Sequence, residues 1–405
     1  MRNKSILFAS TGLAAPGVLS GAYANTLTRL IPDLYAGLDV VSRELVGFIP
    51  SVFRNASAER AAVGQSVVYD VAPEMTAFDI TPANVVPDPS DVTIGNGTIS
   101  ITKSRGAAFG FTGEEAKGLN TGSGYISAQA GLFAQGLRTL TNEIEADLAT
   151  QAAATFSRAY GTAGTTPFAS TLADTAQARK ILDDNGAPAT GRSMVIDTTA
   201  GAAMRTLSQL TKANEAGSAM TLRDGELMDL HGMSIKESAQ VITPASGTGA
   251  SATTDTAGYA IGDTVITLAG VGTGTILAGD VITFAGDSNK YVVASGVGAV
   301  SGGVITLAAP GLRVAIATSA TAVTVVAAST RNAAFSSNAL HLVARAPALP
   351  PEGDLATERR MLVDPRSGMA FEVAIYPMYR KMRAEVSIAW GYATVKPEHG
   401  MLLLG

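Results

Sequence analysis

Few residue types that carry chemistry occur in this sequence, and those that do are scattered. The chain has no cysteine among its 405 residues, which excludes disulfides and thiolate metal sites. Its three histidines, His231, His341 and His399, lie far apart in sequence, which disfavours a histidine-based metal site or catalytic triad. We therefore predict no catalytic, cofactor-binding or metal-binding residue, and a chain that is not an enzyme.

The carboxylates offer the nearest approach to acid–base or metal chemistry. Glu114-Glu115 and Asp183-Asp184 are adjacent pairs, but no histidine or third polar group is near either pair in sequence, so exposed or helix-capping roles are expected. Three aspartates of the Gly-rich second half could bind a cation, although turn aspartates more commonly bond their own backbone. These three are Asp263, Asp280 and Asp287.

The glycine-rich string at 270–274 does not complete a phosphate-binding motif, because no G-x-G-x-x-G pattern and no Gly-Lys-Ser/Thr follows it. We interpret it as a loop. Asn55 and Asn96 begin glycosylation sequons, which matter only in a secreted chain.

The composition limits the classes of partner that the chain could bind. The net charge is −5 with a pI of about 5.4, and aromatic residues make up 6%, so neither a strongly basic face nor a stacking platform for nucleic acid is indicated. Hydrophobic residues make up 46%, enough for large cores, and the length suits two or three domains. No apolar run approaches the ~20 residues of a membrane span.

The organising element is a predicted helix at 125–160. Apolar residues recur there every three or four positions without proline, and the predicted length is roughly 50 Å. Two interpretations stay open from this stretch alone: a long core helix, or a spine that carries extended arms.

Two arms are predicted before the helix. Residues 26–60 have helical apolar spacing that Pro50 ends, and residues 64–112 read as two extended runs around a proline-rich segment. Asn96-Gly97 is a hairpin-turn signal, and Thr112 followed by Glu115 is typical of a capping box. A β-arm of this kind has little core of its own and needs a partner surface.

After the helix, residues 161–242 are predicted to form an α/β unit. It contains a helix at 170–184 ended by Asn185-Gly186, a buried strand at 192–197, and a helix through Leu210 capped by Thr198 or Thr199. A short helix, a glycine turn and a strand follow.

Residues 243–333 change character. Three similar strings (DTVITLAG, DVITFAG and GVITLAA) and few charges predict five or six short strands in a barrel or sandwich, inserted between α/β segments. In 334–405, a helix followed by a strand at 334–347, a turn at Pro350-Pro351, and strands joined by a hairpin turn at 364–368 complete the first body.

Residues 1–24 have a basic start, an apolar middle and an Ala-Tyr-Ala end, which is a signal-peptide pattern. Glycines and a proline interrupt the apolar part. The alternatives are a disordered extension or a start codon upstream of the true beginning.

In its order of elements the chain resembles the major capsid proteins of tailed bacteriophages with the Hong Kong 97-type fold. It is most similar to coat proteins of short-tailed phages that carry an inserted β-barrel domain. The stretches that carry the resemblance are 24–52, 64–112, 125–159, LHGMSIKES at 230–238, and 371–398.

The resemblance implies an α+β, Hong Kong 97-like capsid fold with an N-arm, an extended β-arm (E-loop), a long spine helix, an α/β A-domain and an inserted all-β domain. The implied segments are an extension of uncertain status (1–24), an N-terminal arm (25–63), the β-arm (64–112), the spine helix and peripheral domain (113–165), the first part of the axial domain (166–242), the inserted β-domain (243–333) and the axial and peripheral completion (334–405).

The resemblance also implies a function, which is self-assembly of hexamers and pentamers into an icosahedral shell around double-stranded DNA. A scaffolding protein, a portal and a decoration protein are the implied partners, with no membrane, assembly in the host bacterial cytoplasm and a final location in the virion. The basic clusters Arg359-Arg360 and Arg380-Lys381-Met382-Arg383 suit non-specific contact with packaged DNA, or salt bridges between subunits.

The main alternative is a secreted or cell-surface β-rich protein with a structural or adhesive role. It rests on the signal-like residues 1–24 and on the Gly/Thr/Val-rich second half.

Overall fold

The computed structural model describes residues 45–56, 59–71, 77, 95–115, 124–211, 227, 229–364 and 367–405. The chain there is mixed α+β. Its helices are α1 (Gly124–Thr155), α2 (Ala173–Asp184), α3 (Thr198–Arg205) and α4 (Ser208–Thr211). Its strands are β1 (Phe53–Ala56), β2 (Ser66–Val71), β3 (Gly95–Ser100), β4 (Lys103–Thr112), β5 (Arg158–Gly161), β6 (Arg192–Ile196), β7 (Ser234–Glu237), β8 (Ala252–Thr253), β9 (Val265–Thr267), β10 (Val281–Phe284), β11 (Lys290–Ser295), β12 (Val304–Leu307), β13 (Ala322–Val325), β14 (Arg331–Ser336), β15 (Leu340–Arg345), β16 (Glu358–Val363), β17 (Ala370–Met378), β18 (Lys381–Thr394) and β19 (Gly400–Leu404).

Helix α1 confirms the predicted long helix and is 32 residues long. Its apolar stripe is buried, and the members of that stripe are Ala130, Phe133, Leu137, Leu140, Ile144, Leu148 and Ala152. The helix ends at Thr155, earlier than predicted, because residues from Arg158 onward form β5, which pairs with β19 and β11.

A six-stranded sheet packs on α1. Its order is β1-β15-β18-β17-β16, with β4 also paired to β18. Strand β18 holds the sheet together, since β4 runs antiparallel to it from Lys381 opposite Thr112 to Trp390 opposite Lys103. Phe371, Val386 and Trp390 share one buried cluster with the stripe of α1.

Strands β2 and β3 pair only with each other in the described chain and form a ribbon. The predicted turn at Asn96-Gly97 is wrong, because both residues lie within β3, opposite Asp70 and Tyr69. The local turn signal is overridden by strand pairing, and the connection between the two strands falls mostly outside the described residues.

An eleven-stranded sheet forms the rest of the body in the order β7-β6-β14-β19-β5-β11-β10-β13-β8, with β12 also paired to β11 and β9 paired to β12. Strands β8 to β13 occupy the predicted insertion and have a buried cluster of their own that includes Ile266, Ile305 and Tyr291. Strand β11 nevertheless pairs with β5, so this sheet is continuous with the main body.

Several local predictions are confirmed. Helix α2 ends at Asn185-Gly186, where Gly186 has a φ of 74°. The backbone N–H of Gly353 donates to the carbonyl of Pro350 in the predicted turn, and Asp364 and Met369 close the β16–β17 hairpin.

Other local predictions are wrong. Asp197, rather than either threonine, caps α3, and it accepts from the N–H groups of Thr199 and Ala200. The helix expected at the start of 334–347 is the end of β14, whose six residues are all buried between β6 and β19 and therefore show no strand-like alternation.

Of the predicted arm helix at 26–60, residues 26–44 lie outside the described residues, as do residues 1–24. Residues 45–56 form a turn and then β1, which pairs in parallel with β15. No helix in the described part of the chain is long and apolar enough to cross a membrane.

Candidate functional site

The carboxylate pair Asp183-Asp184 contacts two arginines. The carboxylate of Asp183 lies 2.6 Å from Arg192, and the hydrogen bonds from Arg192 hold the pKa of Asp183 below its usual value. Asp184 lies 3.7 Å from the guanidinium of Arg158. Both carboxylates therefore form ion pairs with arginines and are not free for acid–base chemistry.

The second pair, Glu114-Glu115, lies in the predicted capping box, which is confirmed and which Glu115 closes. The N–H of Thr112 donates to Glu115 at 2.9 Å, and the N–H of Glu115 donates to the hydroxyl of Thr112 at 3.2 Å. These hydrogen bonds lower the pKa of Glu115. Glu114 is exposed next to it.

The three aspartates of the Gly-rich segment bond nearby backbone, as is common for turn residues. Asp263 accepts from Ala260, Asp280 from Gly247 and Leu277, and Asp287 from Asn289. Across the described ranges, no group of three or more His, Asp or Glu residues is arranged to hold a metal ion. The string at 270–274 is a loop bridged to Ala250 through Thr273.

The histidines lie in different environments. His231 Nδ1 is 2.7 Å from the hydroxyl of Thr175, and His399 Nδ1 is 3.2 Å from the side-chain oxygen of Asn338. The ring of His341 lies 4.7 Å from Phe53, and burial lowers the pKa of His341. His231 is exposed and the other two are half-buried, and each is engaged by a hydrogen bond or a ring contact.

The first basic cluster is neutralised within the subunit. Arg359 contacts Asp354 and lies 3.7 Å from the buried Glu372, which also contacts Arg60. Arg360 pairs with Glu358 at 2.8 Å.

The second basic cluster is only partly neutralised. Arg383 pairs with Glu385 at 2.7 Å. Arg380 and Lys381 are exposed and make no ion pair with another described residue.

Glu145 is the residue that sequence analysis missed. It lies in the middle of α1 with no exposed surface, and its carboxylate accepts from three successive backbone N–H groups. The donors are Gly47 at 2.6 Å, Phe48 at 2.7 Å and Ile49 at 2.9 Å. Burial raises the pKa of Glu145, while these bonds and one from Ser238 oppose the rise. Helical spacing predicts that Glu145 falls with Glu143 on the polar side of the helix, so the sequence pattern carried no signal for its burial.

The turn that Glu145 holds fits closely. A Cβ on Gly47 would lie 2.7 Å from Val195 Cγ1, so only glycine fits there without a shift. Phe48 and Ile49 are buried in the main core. Lys236 donates to the hydroxyl of Ser51 at 3.0 Å. The end of the predicted N-terminal arm is therefore fastened to the long helix.

A charged cluster fastens the base of the β-arm to the same helix. Lys103 Nζ lies 3.1 Å from Glu143 and 2.9 Å from Asp147, and it sits 5.7 Å from the centroid of the Trp390 ring. The indole N–H of Trp390 donates to Asp147 at 2.9 Å. Both arms are thus attached to the same part of α1, through Glu143, Glu145 and Asp147.

Polar contacts also join β5 to the inserted strands. Arg158 of β5 donates to Asn289, and Lys290 of β11 donates to the carbonyl of Gly161. Beside this contact, within the inserted segment, Tyr291 donates to Asp287 at 2.6 Å. Burial and the bond to Asp287 raise the pKa of Tyr291 to about 12. This tyrosine stays protonated at neutral pH, so it serves as a donor rather than a base.

Together these contacts fix elements to one another. Apart from the exposed Glu114, these candidate acids and bases bond a cation, a backbone N–H, a side-chain oxygen or a packed ring. The hydroxyl that lies beside His231 belongs to Thr175, which is buried and donates to the carbonyl of Leu172. The exposed features are instead strand edges, the β2–β3 ribbon and the ends of the sheets, which suits contact with other proteins.

Comparison with known proteins gives structural similarity only. No family model matches the chain, and no curated protein matches it. A structure from Mycobacterium phage Che8 is similar with 14% identity, 90% of this chain and 92% of that chain covered, and a TM-score of 0.45.

Two further structures are similar. The capsid of the cyanophage P-SCSP1u has 12% identity, covers 90% of this chain and 89% of its own, and has a TM-score of 0.48. A virus-like particle from Pyrococcus furiosus has 12% identity, covers 93% of this chain and 99% of its own, and has a TM-score of 0.42. At these identities and scores, the function has to be argued from the chain itself.

Proposed function

We propose that this chain is the major capsid protein of a tailed bacteriophage, a structural protein that self-assembles into the icosahedral head shell around double-stranded DNA. The fold class we propose is the Hong Kong 97-like one, with residues 243–333 as an inserted domain. The order of elements along the chain supports the assignment.

The observation that carries the proposal is the β2–β3 ribbon. Of the β3 residues only Ile99 is buried, and Val68 on β2 is 56% exposed. One face of the ribbon rests on the sheet, where Ile99 and Ile101 pack with Val343 and Ala389 and the ring of Tyr69 lies 5.9 Å from that of His341. A two-stranded ribbon is marginal in water by itself, and its exposed face, which carries Val68, suits a contact with a neighbouring subunit.

An open strand edge gives the same indication. In the part of the chain that the structure describes, β16 pairs only with β17, and its Met361 and Val363 are 53% and 50% exposed. An edge strand with exposed apolar residues promotes association unless a partner covers it. Many weak, equivalent contacts of this kind add up to a stable closed assembly.

The partners follow from the function. We propose hexamers and pentamers of this chain, assembled in the host bacterial cytoplasm with a scaffolding protein and a portal, and found finally in the virion. A decoration protein and non-specific contact with the packaged DNA are further proposed partners.

The test is sedimentation velocity and negative-stain microscopy of the purified chain, expressed alone and with the products of the neighbouring genes. Uniform round particles of megadalton mass are expected. A small monomer under every condition, scaffold included, would contradict the proposal and favour the secreted β-rich alternative, which determination of the mature N-terminus would then examine.

A further inference from the structure

One end of the six-stranded sheet brings together charges from distant parts of the sequence. The β17–β18 hairpin ends with Met378 opposite Lys381, and Lys381 is also opposite Thr112 at the end of β4. The N–H of Gly113 donates to the carbonyl of Arg380 at 3.2 Å. We call residues 113–115 and 378–381 the sheet tip.

The sheet tip presents both signs of charge to solvent. Arg380 and Lys381 supply two cations, and Glu114 and Glu115 supply two carboxylates. None of the four forms an ion pair with a described residue, and Glu115 is engaged only in the capping box with Thr112. Their charges are therefore available to another molecule.

The sheet tip also presents apolar surface. Tyr379 is 89% exposed and Met378 is 48% exposed. Tyrosine and methionine are enriched where proteins bind proteins, because each covers a large area and the tyrosine hydroxyl can still form a hydrogen bond.

The backbone at Arg380 supports a role beyond folding. Its φ of 53° lies in the left-handed region, which glycine adopts freely and which other side chains adopt at a cost of about 1 kcal/mol. A charged side chain therefore occupies a turn position that favours glycine. Backbone outliers of this kind cluster at functional sites.

We infer that the sheet tip is a self-complementary contact that binds the sheet tip of a second copy of this chain. The cations of one copy would face the carboxylates of the other, with Tyr379 buried between them. Equal numbers of opposite charges match a second copy, whereas a DNA duplex would select an excess of positive charge. The inference deepens the proposed function by assigning one of its contacts.

The test compares three charge variants by sedimentation velocity at low and high salt. Arg380→Glu with Lys381→Glu makes the tip acidic, and Glu114→Lys with Glu115→Lys makes it basic. Each is expected to weaken association by about tenfold or more, because like charges then meet. The quadruple variant, which exchanges the signs, is expected to restore association.

Controls separate folding from contact. Glu115→Gln retains a capping-box acceptor and checks the cap, Glu352→Lys reverses an exposed charge elsewhere, and circular dichroism checks the fold of every variant. Anisotropy with a labelled DNA duplex measures the other partner. Loss of duplex binding with unchanged self-association in the acidic variant would overturn the inference.

The outcomes for the tip and for the shell are distinct. If the wild type forms shells and both the acidic and the basic variant form them equally well, the sheet-tip contact alone is refuted. The wild type could instead form small oligomers and no shells. If the acidic and the basic variant abolish these oligomers and the quadruple variant restores them, the sheet-tip contact is supported and the shell is refuted. A wild-type monomer under all conditions would refute both.

Discussion

At the scale of single residues, Glu145 is the most informative side chain. A carboxylate with no exposed surface is costly unless donors satisfy it, and here three backbone N–H groups of 47–49 do so. The donors belong to a segment almost a hundred residues earlier, so this one side chain links the start of the described chain to the middle of α1.

Removal of this carboxylate is expected to destabilise the subunit strongly. Glu145→Ala leaves three buried N–H groups without acceptors and should lower the free energy of unfolding by about 3 kcal/mol or more. Urea denaturation measures it. The matched control is Glu143→Gln on the same helix, where a partly exposed pair with Lys103 should contribute less than about 1 kcal/mol. Equal losses in the two variants would contradict this role.

The same group predicts a pH dependence. Burial raises the pKa of Glu145 above its ordinary 4.5 in the folded state. Its contribution to stability is therefore fully present below about pH 4.5 and is lost as pH rises through the folded-state pKa. The stability of the wild type relative to Glu145→Gln should thus decrease between pH 4.5 and 8. A difference that grows with pH would reverse the sign and refute the argument.

At the scale of elements, what sequence could predict depended on periodicity. Helix α1 was predictable because apolar residues recur every three or four positions along most of its 32 residues. Strand β14 was not, because burial on both faces removes its alternation. The pairing of Lys381 with Thr112 and the bond from Gly47 to Glu145 join positions far apart in sequence, so no local pattern reports them.

The β-arm gives the prediction that belongs to this scale. Tyr69 and Gly97 are opposite each other, so residues 70–96 can be replaced by a two-residue Asn-Gly turn. The shortened subunit should fold with an almost unchanged Tm, because Ile99 and Ile101 remain. It should fail to form shells in microscopy, because the contact with a neighbour is gone.

Two outcomes would contradict that expectation. Normal shells from the shortened subunit would remove the arm from assembly, and an unfolded subunit would make the arm part of the fold. A deletion of 66–105 is less informative, because it also removes Lys103 and its contacts with Glu143 and Asp147 on α1.

At the scale of the whole molecule, the relation of 243–333 to the rest is the main question. The side-chain hydroxyls of Thr243 and Thr330 are 3.1 Å apart, so the segment leaves and re-enters the body at one place, as an insertion would. Yet Val281 and Val292 belong to the main core, and β11 pairs with β5. The segment thus has its own cluster of buried residues and also stabilises the body.

Excision tests both properties at once. Replacement of 244–329 by two glycines should leave a body that unfolds cooperatively, because α1 and the six-stranded sheet lose no strand. Its stability should fall by about 3–5 kcal/mol, since Val281 and Val292 leave the main core and Arg158 loses Asn289. Calorimetry measures the transition, and Asn289→Ala serves as the control for the polar contact alone. A body that loses its helical circular dichroism would show that 244–329 is an integral layer of the fold rather than an addition to it.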